Sequence, residues 1–241
     1  MIKFLRRKLV LFPKFTGPLR AYYNYFFGEK EIKVLFKLIK NLNKDFYFFD
    51  VGANYGIYTF LIGKRAKKVF VFEPIEECIN YIKKGFKHKD SEFLNKIVSI
   101  DNEDREIKIP IIHNEKIFGR SSLNNTFQHY ESRQLKSLSI DSFTNTKNLN
   151  QNIISIIKID AEGHELSIIQ GATKFIKNRK CILLIEIEKR HNQEFQDVFN
   201  NLVKLGFDIY IAKDNNLKNV DNINQGLMEM STNINFFFKN F

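Results

Sequence analysis

The sequence predicts an α/β fold: five or so parallel strands closed by an antiparallel pair. Three observations predict it. Short apolar runs alternate with amphipathic segments along much of the chain, the rhythm of strand–helix crossovers that makes neighbouring strands parallel. The run Ile153-Ile154-Ser155-Ile156-Ile157-Lys158-Ile159 is apolar on both faces, as a central parallel strand covered by helices should be. The last two strand-like runs, Gly206–Ile211 and Asn233–Phe238, are separated by a polar, turn-rich segment instead of a helix, so they can pair antiparallel.

The elements follow in order. Residues 31–40 read as a helix with Ile32, Leu35, Phe36 and Ile39 on one face. The aromatic run Phe46-Tyr47-Phe48-Phe49 opens a buried strand over 46–50. A helix over 57–65 follows, with Ile57, Phe60 and Leu61 at i, i+3 and i+4. The next strand, Val69-Phe70-Val71-Phe72, ends at Glu73-Pro74, where proline lacks the N–H a further ladder bond would need. A helix near 76–87 and a third strand at about 96–100 continue the rhythm.

The rhythm then breaks for about fifty residues, long enough for a functional insertion. It holds an alternating strand, Glu106–Ile111, the polar stretch Gly119-Arg120-Ser121-Ser122-Leu123, and a further strand from Leu135 to Ile140, ending at Asp141. After the central isoleucine run comes Asp160-Ala161-Glu162-Gly163-His164-Glu165, then a helix with Leu166, Ile169, Ala172 and Ile176 inward. Cys181–Ile187 is another buried strand, carrying Glu186. Phe195, Val198, Phe199, Leu202 and Leu205 line the following helix.

Bulk properties narrow the classes. A chain of 241 residues supports one substantial core. No long uncharged apolar run predicts a membrane-spanning helix. Two cysteines, Cys78 and Cys181, make no disulfide framework and suit a reducing cytoplasm. The charge is uneven: residues 1–40 hold ten Lys/Arg and two Glu, a local +8 of the overall +11, interleaved with aromatics. This predicts a basic, aromatic N-terminal arm over 1–30 ahead of a single domain over 31–241. Such an arm suits a solvated cover, or peripheral contact of residues 1–40 with an anionic membrane surface, here the inner face.

Asp50-Val51-Gly52-Ala53-Asn54-Tyr55-Gly56 is a tight strand-to-helix turn in which Gly52 and Gly56 permit backbone geometry that a Cβ would block. It lacks the G-x-G-x-x-G spacing of dinucleotide loops. The acid stands first, at the strand end, which favours a ligand with a cationic, hydrogen-bond-donating end. S-adenosylmethionine fits that description. Glu73 lies about twenty residues beyond the turn, the spacing at which a carboxylate takes a ribose hydroxyl pair.

With Asp50–Gly56, Phe72-Glu73-Pro74, Lys158-Ile159-Asp160-Ala161-Glu162-Gly163-His164-Glu165, Gly171-Ala172 and the closing Asn233–Phe237, the chain resembles the FkbM family of S-adenosylmethionine-dependent methyltransferases over about residues 31–240. The resemblance implies a class I, Rossmann-like methyltransferase fold with a seven-stranded, doubly wound sheet, mostly parallel with an antiparallel last strand, and methyl transfer to a hydroxyl of a sugar, glycolipid, polysaccharide or secondary metabolite. It implies that the first turn holds the cofactor's methionine end and Glu73 its ribose. The expected cofactor set is Asp50, Val51, Gly52, Ala53, Asn54, Gly56, Tyr58, Thr59, Glu73, Pro74 and Asp160.

In a doubly wound sheet the ligand lies beyond the carboxyl ends of the strands at the switch in strand order. That places Asp160, Glu162 and His164 beside the reacting methyl group as candidate catalytic residues. A histidine of near-neutral pKa or a carboxylate can take the acceptor's proton. The same three could hold a metal, but no fourth ligand stands at a telling spacing, so none is expected. Arg120, Ser121 and Ser122 could cover the acceptor, whereas Glu165, Asp141 and His191 suit helix ends and turns.

Two rival readings follow from the charge. One is a nucleic-acid methyltransferase, disfavoured because Asp160-Ala161-Glu162-Gly163 is acidic and offers no aromatic to stack on a flipped base. The other is a non-catalytic membrane- or glycan-binding protein on the same scaffold, disfavoured by the intact Asp50, Glu73 and Asp160. The expected partners are a small-molecule, glycan- or lipid-linked acceptor, without nucleic acid.

Overall fold

The structure is a computed structural model that describes residues 12–42, 44–124, 127–189 and 194–241. Its centre is an eight-stranded sheet. The five parallel strands are β1 (Phe46–Val51), β2 (Lys68–Phe72), β3 (Ser91–Leu94), β8 (Ile154–Ile159) and β9 (Cys181–Glu186). They are joined by β10 (Asp208–Lys213), β11 (Asn216–Val220) and β12 (Asn235–Lys239), giving the order β11-β10-β12-β9-β8-β1-β2-β3. β12 runs antiparallel to both β9 and β10. Strand order reverses at β1, which pairs β2 on one side and β8 on the other, with Asp50 opposite Lys158 and Val51 opposite Ile159.

The predicted doubly wound sheet and the antiparallel pairing of the last two strands are therefore present, with one strand more than expected. β11 and a helix, Ile223–Glu229, occupy the segment read as polar and turn-rich. β11 is short and mostly exposed, and it pairs at the sheet edge as a tight return from β10, with Asp214 and Asn215 both at positive φ. A half-exposed edge strand shows little hydrophobic alternation, so its sequence looks like a loop.

The third strand is also displaced. The sheet uses Ser91–Leu94, while Ile97–Val98 forms β4 and joins a second, four-stranded sheet in the order β4-β7-β5-β6. That sheet is the insertion: β5 is Asp104–Ile112, β6 is Glu115–Lys116 and β7 is Tyr130–Leu138. The strand predicted to reach Asp141 stops at Leu138, because Ser139 caps a helix, Ile140–Asn145, by accepting the Ser142 N–H.

Two apolar clusters cover the sheet. On one face Phe49, Phe70, Ile157, Leu183 and Phe236 pack with the helices 165–177 and 195–204. On the other, Phe48, Val69, Ile156 and Phe237 pack with the helices Lys30–Leu42, Ile57–Ile62 and Glu76–Gly85. Where it is described, the basic, aromatic segment packs on the domain. Residues Pro13–Phe27 form a helix whose Ala21 belongs to this second cluster. A Cβ on its Gly17 would stand 2.2 Å from the Phe60 ring, so glycine lets the helix seat closely. Residues 1–11, with Lys3, Arg6, Arg7 and Lys8, lie outside the described residues, as does His191. No described helix is long and apolar enough to cross a membrane.

Candidate active site

The carboxyl ends of β1, β2 and β8 open into a partly open cleft. Its floor is Val51, Gly52, Asn54, Glu73, Pro74, Asp160 and Ala161. Its roof comes from the inserted sheet and its loops: Ile97, Val98, Ile107, Phe118, Gly119, Ser121, Ser122 and Leu123. The insertion is tied down over the floor by side chains. Ser122 Oγ donates to the Glu162 carbonyl at 3.0 Å, and Asn124 Nδ2 to that of Gly163 at 2.9 Å. Arg120 is exposed and stays out of the lining, unlike its neighbours Ser121 and Ser122.

The turn after β1 is held by its own chemistry. Gly52, Asn54 and Gly56 all take positive φ, +72°, +50° and +76°. At Gly52 the near neighbour is protein: a Cβ there would stand 1.8 Å from the Asp160 backbone oxygen. Glu73 crosses from β2 to the turn. Its carboxylate accepts the Asn54 N–H at 2.6 Å and the Ile75 N–H at 2.8 Å. Burial raises its pKa to about 7, against those two hydrogen bonds, which favour the charged form.

Asp50 is placed differently. It sits behind the turn, buried, accepting the Thr59 hydroxyl at 2.5 Å, and burial raises its pKa to about 6. Of the expected cofactor set, Val51, Gly52, Asn54, Glu73, Pro74 and Asp160 line the cleft, while Asp50, Ala53, Gly56, Tyr58 and Thr59 form the layer behind. That layer includes Lys158, one of the largest fully buried side chains. Its ammonium lies 3.6 Å from Asp160 Oδ2 and over the Tyr58 ring at 5.3 Å. Burial works against the charged lysine, yet the carboxylates of Asp160, Glu186, Glu29 and Asp50 outweigh it and leave the pKa above the ordinary value. Lys158 and Glu186 had no role in the sequence reading. A lysine inside a run of isoleucines, opposite Asp50 in register, is the signal that points to the first.

The catalytic candidates separate. Asp160 and Glu162 line the main cleft and also a second, much smaller one with Gly163, Glu165, Glu186 and Glu188. Glu186 has its pKa raised by burial and by the Asp160 charge. His164 lines the main cleft but is mostly buried, its Nε2 3.0 Å from Ser99 Oγ. Burial lowers its pKa to about 4, so the near-neutral value expected of a proton acceptor is absent and the ring is a neutral part of the wall. Glu165 accepts the Gly163 N–H at 2.9 Å in the first turn of its helix. Asp141 accepts the N–H groups of Lys174 and Phe175, at 3.0 and 2.8 Å, at the start of the helix Thr173–Lys177. Among the described residues no group of three or more His, Cys, Asp or Glu is arranged to hold a metal ion.

The donor set fits S-adenosylmethionine: a glycine turn open to the cleft, a buried carboxylate one strand away, and a further carboxylate on the opposite strand end. In a comparison with protein families, the Methyltransferase FkbM domain matches residues 50–209. A search of curated proteins finds no match. Among solved structures, a methyltransferase FkbM from Methylobacillus flagellatus is similar at 13% identity and a TM-score of 0.47, over 93% of this chain and 53% of that one. This chain thus spans about half the length of that protein. A precorrin-6y C5,15-methyltransferase from Geobacter metallireducens is similar at 9% identity and a TM-score of 0.41, over 87% and 86% of the two chains. A ribosomal protein L11 methylase from Lactobacillus delbrueckii is similar at 11% identity and a TM-score of 0.38, over 88% and 78%.

Proposed function

This chain belongs to the FkbM methyltransferase family, with S-adenosylmethionine as cofactor, and from that premise we propose that it methylates a hydroxyl of a sugar, glycolipid or related acceptor. The observation that carries this reading is the double exposure of Asp160, whose residue forms part of the wall of both clefts. The larger cleft takes the cofactor. Glu73 accepts from its ribose hydroxyls, with the oxygen capacity left beyond its two backbone bonds, and the Gly52–Asn54 backbone meets its methionine end. The acceptor's hydroxyl approaches from the acid-lined side, where Asp160 also borders the smaller cleft.

The cofactor supplies an activated methyl group on a positively charged sulfur. The chain's own residues have two tasks. They hold the acceptor oxygen in line, about 3–3.5 Å from the reacting carbon, and they receive its proton. Asp160 is the proton acceptor, with Glu162 beside it. Lys158 is a positioning residue that sets a buried positive charge behind the Asp160 carboxylate. His164 shapes the wall. A sugar suits an acid-lined cleft because its hydroxyls donate to carboxylates through charge-assisted bonds.

The test is to incubate the purified chain with labelled S-adenosylmethionine and a fractionated sugar and lipid extract, and to identify labelled products by mass spectrometry. Label on a hydroxyl-bearing acceptor, lost in Asp160→Asn, supports the reading. Binding of cofactor with label appearing only on nucleic acid or protein would overturn the acceptor assignment.

A further inference from the structure

The helix Pro13–Phe27 packs one side on the domain and leaves the other bare. Phe15, Leu19, Tyr22 and Phe26 fall at i, i+4, i+7 and i+11, a continuous stripe along a helix of 3.6 residues per turn, and Phe12 precedes it at the N-cap. All five are between 56% and 76% exposed, and Tyr23 and Phe27 flank them at 64% and 76%. The opposite side carries Gly17 and Ala21, which meet Phe60 and the second core cluster. The exposed stripe is therefore the helix's more apolar face, turned away from the core it should serve.

Its charge says what covers it. Residues 1–28 contain six Lys/Arg (Lys3, Arg6, Arg7, Lys8, Lys14 and Arg20) and no Asp or Glu. Lys33 lies at the far end of the stripe, its Nζ donating to the Phe26 carbonyl at 3.0 Å. A second copy would bring two such cationic segments together, and the helix spans about two heptads, fewer than a stable helix pair needs. Phe15 and Leu19 offer no polar group to a sugar or a nucleotide. Apolar and aromatic side chains on an acid-free helix bearing Lys14 and Arg20, with four more Lys/Arg ahead of it in the sequence, match the boundary layer of an anionic bilayer, where rings sink to headgroup depth and each nearby Lys or Arg adds attraction.

We propose that the helix Pro13–Phe27 lies in the surface plane of an anionic membrane, with Phe12 and the stripe from Phe15 to Phe26 inserted. The stripe runs toward the site. Glu29, just past it, accepts the Tyr58 hydroxyl at 2.8 Å, and the Tyr58 ring lies beneath Lys158, the neighbour of Asp160. Docking therefore ties the membrane-facing helix to the catalytic layer and favours an acceptor carried on a lipid. That last step rests on the proposed transfer reaction; docking itself does not.

The experiment uses the full chain and two kinds of vesicle, one containing phosphatidylglycerol and one of phosphatidylcholine alone. Pelleting is expected with the first at low salt, to weaken steeply in high salt, and to be absent with the second. The triple variant Phe15→Ser, Tyr22→Ser, Phe26→Ser is expected to lower the bound fraction about tenfold or more, with the thermal shift caused by S-adenosylhomocysteine unchanged. The chain has no tryptophan, so Tyr22→Trp places a single reporter on the stripe whose emission is expected to shift to the blue on anionic vesicles. No pelleting at low salt overturns the proposal. So does pelleting that the triple variant retains, or a dimer in sedimentation that the same substitutions dissolve. Absence of the S-adenosylhomocysteine thermal shift in the unmodified chain would instead count against the cofactor reading.

Discussion

The Cβ that Gly52 lacks would stand 1.8 Å from the backbone oxygen of Asp160. β1 and β8 thus meet at their carboxyl ends through a contact that glycine alone permits, and that contact sets the distance between the turn and the end of β8. Gly52→Ala is expected to lose both stability and cofactor binding, because the strand ends must part. Gly206→Ala is the control. Its φ is also positive, at +84°, but nothing lies within 4 Å of the added carbon. It should cost about 1–3 kcal/mol of backbone strain and leave binding intact. Urea denaturation and calorimetry compare the two, and equal losses in both variants would contradict the steric account.

Glu73 is expected to carry cofactor affinity. Glu73→Ala removes a charge-assisted acceptor and also strands the Asn54 and Ile75 N–H groups. Charge-assisted bonds are worth about 1.5–3 kcal/mol each, so affinity should fall by roughly ten- to a hundredfold. Titration calorimetry with S-adenosylhomocysteine reads this directly, and unchanged affinity would remove Glu73 from the site.

Asp160→Asn is expected to lower kcat by about a hundredfold or more, the usual range for a lost general base. Its shape is nearly unchanged, so affinity for the cofactor should stay within a few-fold. His164→Gln is expected to do far less to kcat near neutral pH, since a ring with a pKa of about 4 in contact with Ser99 takes no proton there. A larger loss from the histidine variant than from Asp160→Asn would reverse the two roles.

The buried acids predict a pH dependence of stability. The folded Glu73 pKa, about 7, lies above its ordinary 4.5, so the folded state holds this proton more tightly. The contribution is fully present below pH 4.5 and is lost as pH rises through 7. Asp50 behaves alike, its window running from 3.8 to about 6. His164 works the other way: its contribution is present above pH 6.5 and lost as pH falls through about 4. Glu73→Gln cannot ionise there. Its stability relative to the unmodified chain should therefore improve by about 3 kcal/mol between pH 4 and pH 8. Denaturant melts of both proteins across that range measure the difference, and parallel curves would sink the assignment.

Much of the architecture was legible because its signals are local. The runs at Phe46–Phe49 and Ile153–Ile159 are apolar on both faces, and only a strand buried in a parallel sheet needs that. The order of acids and glycines at Asp50–Gly56, with Glu73 and Asp160 at later strand ends, marked the cleft because chain topology alone brings those ends together. The edges were harder. β3 at Ser91–Leu94 and β11 at Asn216–Val220 are half-exposed, and their pairing is decided by a neighbouring strand more than by their own residues.

What the sequence determined by itself was therefore the parallel core, the turn and the identity of the acids at its rim. What tertiary structure decided was which acids open to the clefts. Asp50 and Asp160 end neighbouring strands, yet the first is buried, accepting the Thr59 hydroxyl, while the second opens to both clefts. The same holds for His164, whose pKa is set by burial against Ser99, and for Lys158, whose charge survives burial because four carboxylates lie around it. Desolvation and partner charges depend on distances across the fold, and no spacing along a chain encodes them.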